Sequence, residues 1–150
     1  MSLPRMPRYL DAQTQRVPYY LGALADVLEA NAIAKATADL TLTASFQDVA
    51  GATLTLAQKG NYLIWAVFDC EGNSNDTETE GRLDVAGVAQ AALAYFRPQG
   101  ASTSRATVAQ MWRITTTSEN TVIKLQARTT SAAGTFKVRQ QTQIMSMGVG

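Results

Sequence analysis

The acidic loop around Glu71 carries the residue types and spacing of this chain that come nearest to a binding chemistry. Its oxygen-bearing side chains fit positions one, three, five, seven and twelve of the calcium loop in a helix–loop–helix site: Asp69, Glu71, Asn73, Asn75 and Glu80. That loop needs glycine at position six, where Ser74 stands, and it needs flanking helices, whereas strand-like segments flank this one. Calcium binding at this loop and a plain solvated acidic loop therefore stay open as alternatives.

The residues required for most catalytic chemistry are missing from the sequence. There is no histidine, which excludes Ser-His-Asp and Cys-His catalysis and imidazole metal sites. The carboxylates crowd on one loop without aromatic residues, so nothing there predicts a rigid sugar cleft with one desolvated acid. Cys70, the single cysteine, ends an apolar run and is interpreted as a buried, inert thiol. The sequence predicts a protein that is not an enzyme and uses no cofactor.

The length and the charge of the chain limit the kinds of partner that we expect it to bind. A chain of 150 residues fits one domain with a short appendage, and its 13 basic and 12 acidic residues create no broad field for nucleic acid or an anionic membrane. The first residues, MSLPRMPRYLDAQTQR, interrupt their apolar side chains with prolines and charges, which is not typical of a signal peptide or membrane anchor. We expect no nucleic-acid partner, no membrane partner and assembly in a reducing cytoplasm.

A change of composition near Asp39 divides the chain into residues 1–38 and residues 39–150. The second part is rich in threonine, valine and aromatic residues, and about eight strand-like runs follow one another with short turns, one of them at Ala86-Gly87. In DLTLTASF the alternation places the apolar side chains inward: Leu40, Leu42, Ala44 and Phe46. The QDVAG that follows is interpreted as a break that ends this strand. VAQAALAYF is interpreted as a strand although its propensity also suits a helix. The pattern predicts an all-β, antiparallel two-sheet sandwich over residues 39–150.

Residues 1–38 are predicted to form an N-terminal arm, an extended segment followed by a helix over about residues 19–36. The apolar stripe of that helix is too thin to fold alone and needs another surface. An arm that orders on a partner and a frayed terminus are both open. The side chains available for attachment are three arginines and three leucines: Arg5, Arg8, Arg16, Leu21, Leu24 and Leu28.

One run, GNYLIWAVFDC, is apolar on both faces. Tyr62, Ile64, Ala66 and Phe68 share one face, so the other face needs a cover as well. We expect copies of the same chain to supply it, while a loop of the same polypeptide and the N-terminal arm are the alternatives. The last strand adds two methionines of one parity, which gives the predicted interface set: Leu63, Trp65, Val67, Met145 and Met147.

The order of these segments resembles a known family. SFQDVAGATLTLAQKGNYLIWAVFDCEG, RLDVAGVAQ, ATVAQMWRITTTSENTVIKLQARTTSAAG and the closing TQIMSMGVG are similar to the tumour necrosis factor-like jelly roll found in bacteriophage virion proteins. The resemblance covers about residues 39–150. It implies a jelly-roll fold and a homotrimer in which inner strands pack around a threefold axis.

The resemblance also implies a function. We expect a capsid decoration (cement) protein, located in the virion and assembled in the host cytoplasm. Its partners would be its own copies and the phage major capsid protein or another virion protein, which it would bind through the N-terminal arm. The alternatives are a tail or head fibre or adaptor module that recognises a host surface receptor, and a tail connector.

Overall fold

The computed structural model describes residues 31–74, 78–98, 103–130 and 134–149, and within these ranges all regular structure is β. The strands are β1 (Ala32–Lys35), β2 (Leu40–Thr41), β3 (Gln47–Leu56), β4 (Gly60–Gly72), β5 (Thr79–Val85), β6 (Val88–Phe96), β7 (Ser104–Thr116), β8 (Thr121–Thr129), β9 (Phe136–Val138) and β10 (Gln143–Val149). No helix long and apolar enough to cross a membrane occurs in the described part of the chain.

The strands form two antiparallel sheets. In the six-stranded sheet, β4 pairs along its whole length with β7, from Gly60 opposite Thr116 to Gly72 opposite Ser104. The other edge of β4 is shared by β10 and β9, which continue to β1 and β2 respectively. The four-stranded sheet has the order β3-β8-β5-β6. This arrangement confirms the predicted antiparallel two-sheet sandwich.

The core lies between the two sheets and is built from alternate residues of the strands. Ile64 and Phe68 of β4 face Leu83 of β5 and Leu125 of β8, and all four are almost fully buried. Each large apolar side chain removed from water in this way contributes about 1.5 to 3 kcal/mol. The first face of β4 is therefore accounted for by the core of its own chain.

The β5–β6 hairpin turns where the sequence predicted it. Ala86 and Gly87 both have positive φ, 50° and 87°, as the two central residues of a type I′ turn require. β6 is a strand despite the helical propensity of its alanines, because its backbone pairs with β5. The indole of Trp112 in β7 also donates a 2.9 Å hydrogen bond to the carbonyl of Ala92.

The predicted helix over residues 19–36 is wrong in its described part, because Ala32–Lys35 is a strand. It pairs with β10 from Ala32 opposite Ser146 to Lys35 opposite Gln143, so the edge of β10 overrides local helix propensity. The sandwich thus includes residues that precede Asp39. The rest of the predicted helix and arm lies outside the described residues, with all six attachment candidates: Arg5, Arg8, Arg16, Leu21, Leu24 and Leu28.

Two further expectations about the first strands are corrected. DLTLTASF forms only the two-residue β2, and Ala44 is exposed. Phe46 lies outside the core, where the guanidinium groups of Arg82 and Arg128 are 3.7 and 4.6 Å from its ring centre. QDVAG does not end a strand but forms a bulge within β3, with Gly51 at a φ of 84°.

Cys70 allows a prediction about alkaline stability. The side chain is 2% exposed, and burial, with a smaller effect of the Asp69 charge, raises its thiol pKa to about 12. The unfolded chain releases this proton from about pH 9 upward, so stability present below pH 9 is lost as the pH rises toward 12. We expect this residue to lower the free energy of unfolding by about 1.4 kcal/mol per pH unit in that range.

Urea unfolding at several pH values between 8 and 10.5 measures this effect, with Cys70→Ala as the control. The variant should lack this part of the slope, and equal slopes in both proteins would contradict the prediction.

Candidate interaction surface

The outward side of β1, β10, β4 and β7 carries an apolar surface, called here the apolar face. In its outer rows, Arg113 stands opposite Leu63 and Gln143 opposite Val67. Its central row crosses all four strands through register-paired residues: Ile33, Met145, Trp65 and Met111. Met147 and Leu63 are paired one step toward one end, and Val67 and Ala109 one step toward the other. Because paired residues on neighbouring strands point to the same side, these side chains form one surface.

The apolar face contains the largest exposed apolar side chains of the six-stranded sheet. Ile33 is 62% exposed, Trp65 50%, Met111 53% and Met147 49%. Trp65 and Met111 also line a shallow groove of about 290 Å³ whose other lining residues are Asn31, Leu63, Met145, Ser146 and Met147. No described residue of the same chain covers Trp65, so the predicted alternative of a covering loop finds no support among the described ranges.

The predicted interface set lies together on this face. Leu63, Trp65 and Val67 occupy successive outward positions of β4, and Met147 and Met145 are the β10 partners of the first two. Sequence reasoning missed Ile33, because its segment was interpreted as a helix. It also missed Met111, whose outward parity follows only once β7 is paired with β4.

The outward side of the four-stranded sheet carries ion pairs, and it also exposes Tyr95 and Val122. Arg128 donates to Glu80 at 2.6 Å, and Lys124 and Gln126 each donate to Asp48 at 2.6 Å. The hydrogen bonds from Lys124 and Gln126 hold the pKa of Asp48 below its ordinary value. These polar groups are satisfied within the sheet and suit contact with water. The two outer sides of the sandwich are thus chemically distinct.

An ion pair between a buried carboxylate and a half-exposed guanidinium marks one end of the apolar face. Beyond Val67, the carboxylate of Asp69 accepts from Arg105 through both of its oxygens, at 2.7 Å from the guanidinium Nε and in a second contact from Nη2. The backbone N–H of Asp69 donates to the hydroxyl of Thr142 at 3.0 Å. The Arg105 guanidinium also donates to Gln141 at 3.3 Å. Along β4 the outward side chains thus change from apolar at Val67 to charged at Asp69, which is the next outward position.

The acidic residues of the calcium hypothesis are held apart in the structure. Asp69 faces Arg105, Glu71 accepts from Arg139 at 2.9 Å, and Glu80 lies in the other sheet against Arg128. Asn75 lies outside the described residues. In the ranges that the structure describes, no group of three or more histidine, cysteine, aspartate or glutamate side chains is placed to hold a metal ion. The described carboxylates act as partners of arginine.

Comparison with known proteins identifies the fold. No family model and no curated protein matches the chain. Among solved structures, Eiger TNF from S. frugiperda is 8% identical, covers 81% of this chain and 94% of its own, and has a TM-score of 0.56. The globular domain of zebrafish complement 1qA is 8% identical, covers 81% and 98%, and has a TM-score of 0.50. These similarities show the fold alone and confirm the predicted tumour necrosis factor-like jelly roll.

The ion pair at the end of the apolar face should matter more for stability than the exposed pair on the opposite side. Arg105→Met leaves the buried carboxylate of Asp69 without a partner, and we expect the melting temperature to fall by about 5 °C or more. Lys124→Met breaks a pair whose aspartate is half exposed and should lower it by no more than about 2 °C. Thermal unfolding of both variants checks this, and equal shifts would contradict it.

Proposed function

We propose that the chain is a non-enzymatic structural module that assembles into a homotrimer through the apolar face. The observation that carries this proposal is the contrast between the two sides of the sandwich: paired charges on one, and a contiguous apolar row with half-exposed Trp65 and Met111 on the other. Isolated apolar residues are normal on a protein surface, but a continuous patch of this kind is typical of an interaction site. Its composition, rich in methionine with a central tryptophan, is that of an interface core.

A second copy of the chain is the partner that suits this face. The ion pair that borders it, Asp69 with Arg105, is already formed within the chain, so these two residues need no charged partner. What remains unsatisfied is apolar area, and its burial contributes about 1.5 to 3 kcal/mol for each large side chain. A closed ring of three copies follows from the family resemblance of the sequence, and closed assemblies are the usual form of soluble oligomers.

We further propose that this trimer belongs to a bacteriophage virion and acts as a capsid decoration protein. The support is the resemblance of residues 39–150 to jelly rolls of phage virion proteins, together with the arginines and leucines that precede β1. A chain that binds assembled capsid subunits better than free ones shifts the equilibrium toward the closed shell. Three arms on one trimer raise the avidity without a new type of contact.

The first test concerns the apolar face. Trp65→Asp places a charge at the centre of the row, where association would bury it without a partner, so the concentration for half-association should rise at least about a hundredfold. Light scattering of the parent should give roughly 48 kDa, three times the 16.1 kDa chain, and the variant should give the monomer mass.

Val122→Asp is the matched control, because Val122 is also exposed but lies on the side of the four-stranded sheet. It should leave the trimer intact. A parent that is monomeric at every concentration, or a Trp65→Asp variant that still forms trimers, would overturn the proposed assembly.

The second test concerns the arm. Replacing Arg5, Arg8 and Arg16 with glutamine should preserve the trimer and reduce binding to capsids of the encoding phage by at least about tenfold, because charge-assisted contacts are lost. Co-sedimentation with capsids that lack tails measures this binding. The control removes the same charge elsewhere, from Lys59, Lys124 and Lys137.

Truncation at residue 38 is unsuitable for this test, because it would remove β1 and the hydrogen bond from the N–H of Ala36 to the carbonyl of Thr142. Unchanged capsid binding by the arginine variant would contradict attachment through the arm. Binding to host cells in place of capsids would favour the receptor-recognition alternative.

A further inference from the structure

We propose that residues 19–30, called here the leader segment, bind the apolar face of their own chain in the monomer and compete there with neighbouring copies. The inference rests on the proposed self-association through that face. It adds the leader segment as a competitor of the neighbouring copy. Three observations carry it: where β1 starts, which side chains directly precede it, and how large the apolar face is.

The described chain begins at the apolar face itself. Asn31 lines the groove together with Leu63, Trp65 and Met147, and the strand that follows places Ile33 opposite Met145 in the central row. Any segment that directly precedes Asn31 therefore starts at the border of this surface, beside β10. No other large apolar surface adjoins that point among the described residues, since the side chains between the sheets are already buried.

The leader segment has the composition to bind there and is tied close to it. Its sequence, YYLGALADVLEA, has only two charged residues, and Leu21, Leu24 and Leu28 recur at the spacing of one helical side. Leu28 precedes Asn31 by three residues, so its Cα lies within about 11 Å of that of Asn31. A segment held this close has an effective concentration near 1 mM, which makes even a weak apolar contact well populated.

The dimensions of the apolar face allow one occupant. From β1 to β7 there are three strand spacings, which is about 14 Å, and from Leu63 to Val67 the strand rises about 14 Å. A single helix with its side chains is about 10 to 12 Å across. A leader segment on this face therefore leaves no room for a neighbouring copy, and the two compete.

The leader segment and a neighbouring copy compete for the apolar face. Binding of the leader segment to a particle therefore promotes self-association of the chain. The proposed function assigns the same three leucines to the virion, so a particle that binds them releases the apolar face for sister copies. By thermodynamic linkage, association of copies must in turn favour particle binding to the same degree. Attachment to a particle would thus lower the concentration at which the copies form their trimer.

The test compares the full chain with a variant carrying Leu21→Ser, Leu24→Ser and Leu28→Ser. Iodide quenching of tryptophan fluorescence reports on Trp65, because Trp112 is buried and shielded from the ion. At a dilution where sedimentation shows monomer, the quenching constant should rise about twofold or more in the variant. Half-association should then occur at a concentration about fivefold lower or less, since no leader segment has to be displaced.

The matched control replaces three apolar residues farther from Asn31 along the sequence, Leu3, Met6 and Leu10, with serine and should change neither quantity. Equal quenching in parent and leucine variant, or association that is unchanged or weaker in the leucine variant, overturns the inference. The proposed function fails separately: if Trp65 is shielded in the parent but neither protein forms trimers at any concentration, the leader segment is the occupant and self-association is wrong.

Discussion

The structure depends on the pairing of β4 along its full length. One edge of this strand is occupied by β7 over thirteen register pairs and the other by β10 and then β9, so β4 is the centre of its sheet. A central strand has no exposed edge, and its stability does not depend on a polar outer side. Because pairing at both edges holds β4 in place, the strand can carry Leu63, Trp65 and Val67 on its outward side. A half-exposed strand would normally carry threonine or charged residues there.

The apolar face and the charged outer side lie on opposite sides of the same sandwich. The two outer sides of the molecule therefore differ in polarity. Arg128 with Glu80 and Lys124 with Asp48 keep the four-stranded sheet hydrated, so that side remains accessible when the other is covered. At the polar end of the apolar face, Arg105 neutralises Asp69 before the carboxylate can oppose burial of its neighbours. The contiguous apolar row thus lies on one outer side of the sandwich, that of the six-stranded sheet.

The fold was accessible from the sequence because its signals are local. Period-two alternation, the turn at Ala86-Gly87 and the double-sided apolar run of β4 each depend on residues close together in the chain. Strand β1 was not accessible: Ala32–Lys35 has a helical composition, and only the open edge of β10, more than a hundred residues later, makes it a strand. The bulge at Gly51 was misinterpreted as a break for the same reason, since it is defined by its partner β8.

The residues of the apolar face divide in the same way. Some are predictable from their own strand, and others are placed only by pairing with strands distant in the sequence. Five of its residues were identified from parity within two strands, but Ile33 and Met111 join them only through the register of β1 and β7. These two residues decide the extent of the face, because they widen it from two strands to four. A two-strand stripe would be covered by a few side chains of a neighbour, whereas a four-strand surface requires an occupant the width of a helix or a sheet. The question of function for this chain is therefore which occupant the free energy favours, a neighbouring copy or its own leader segment.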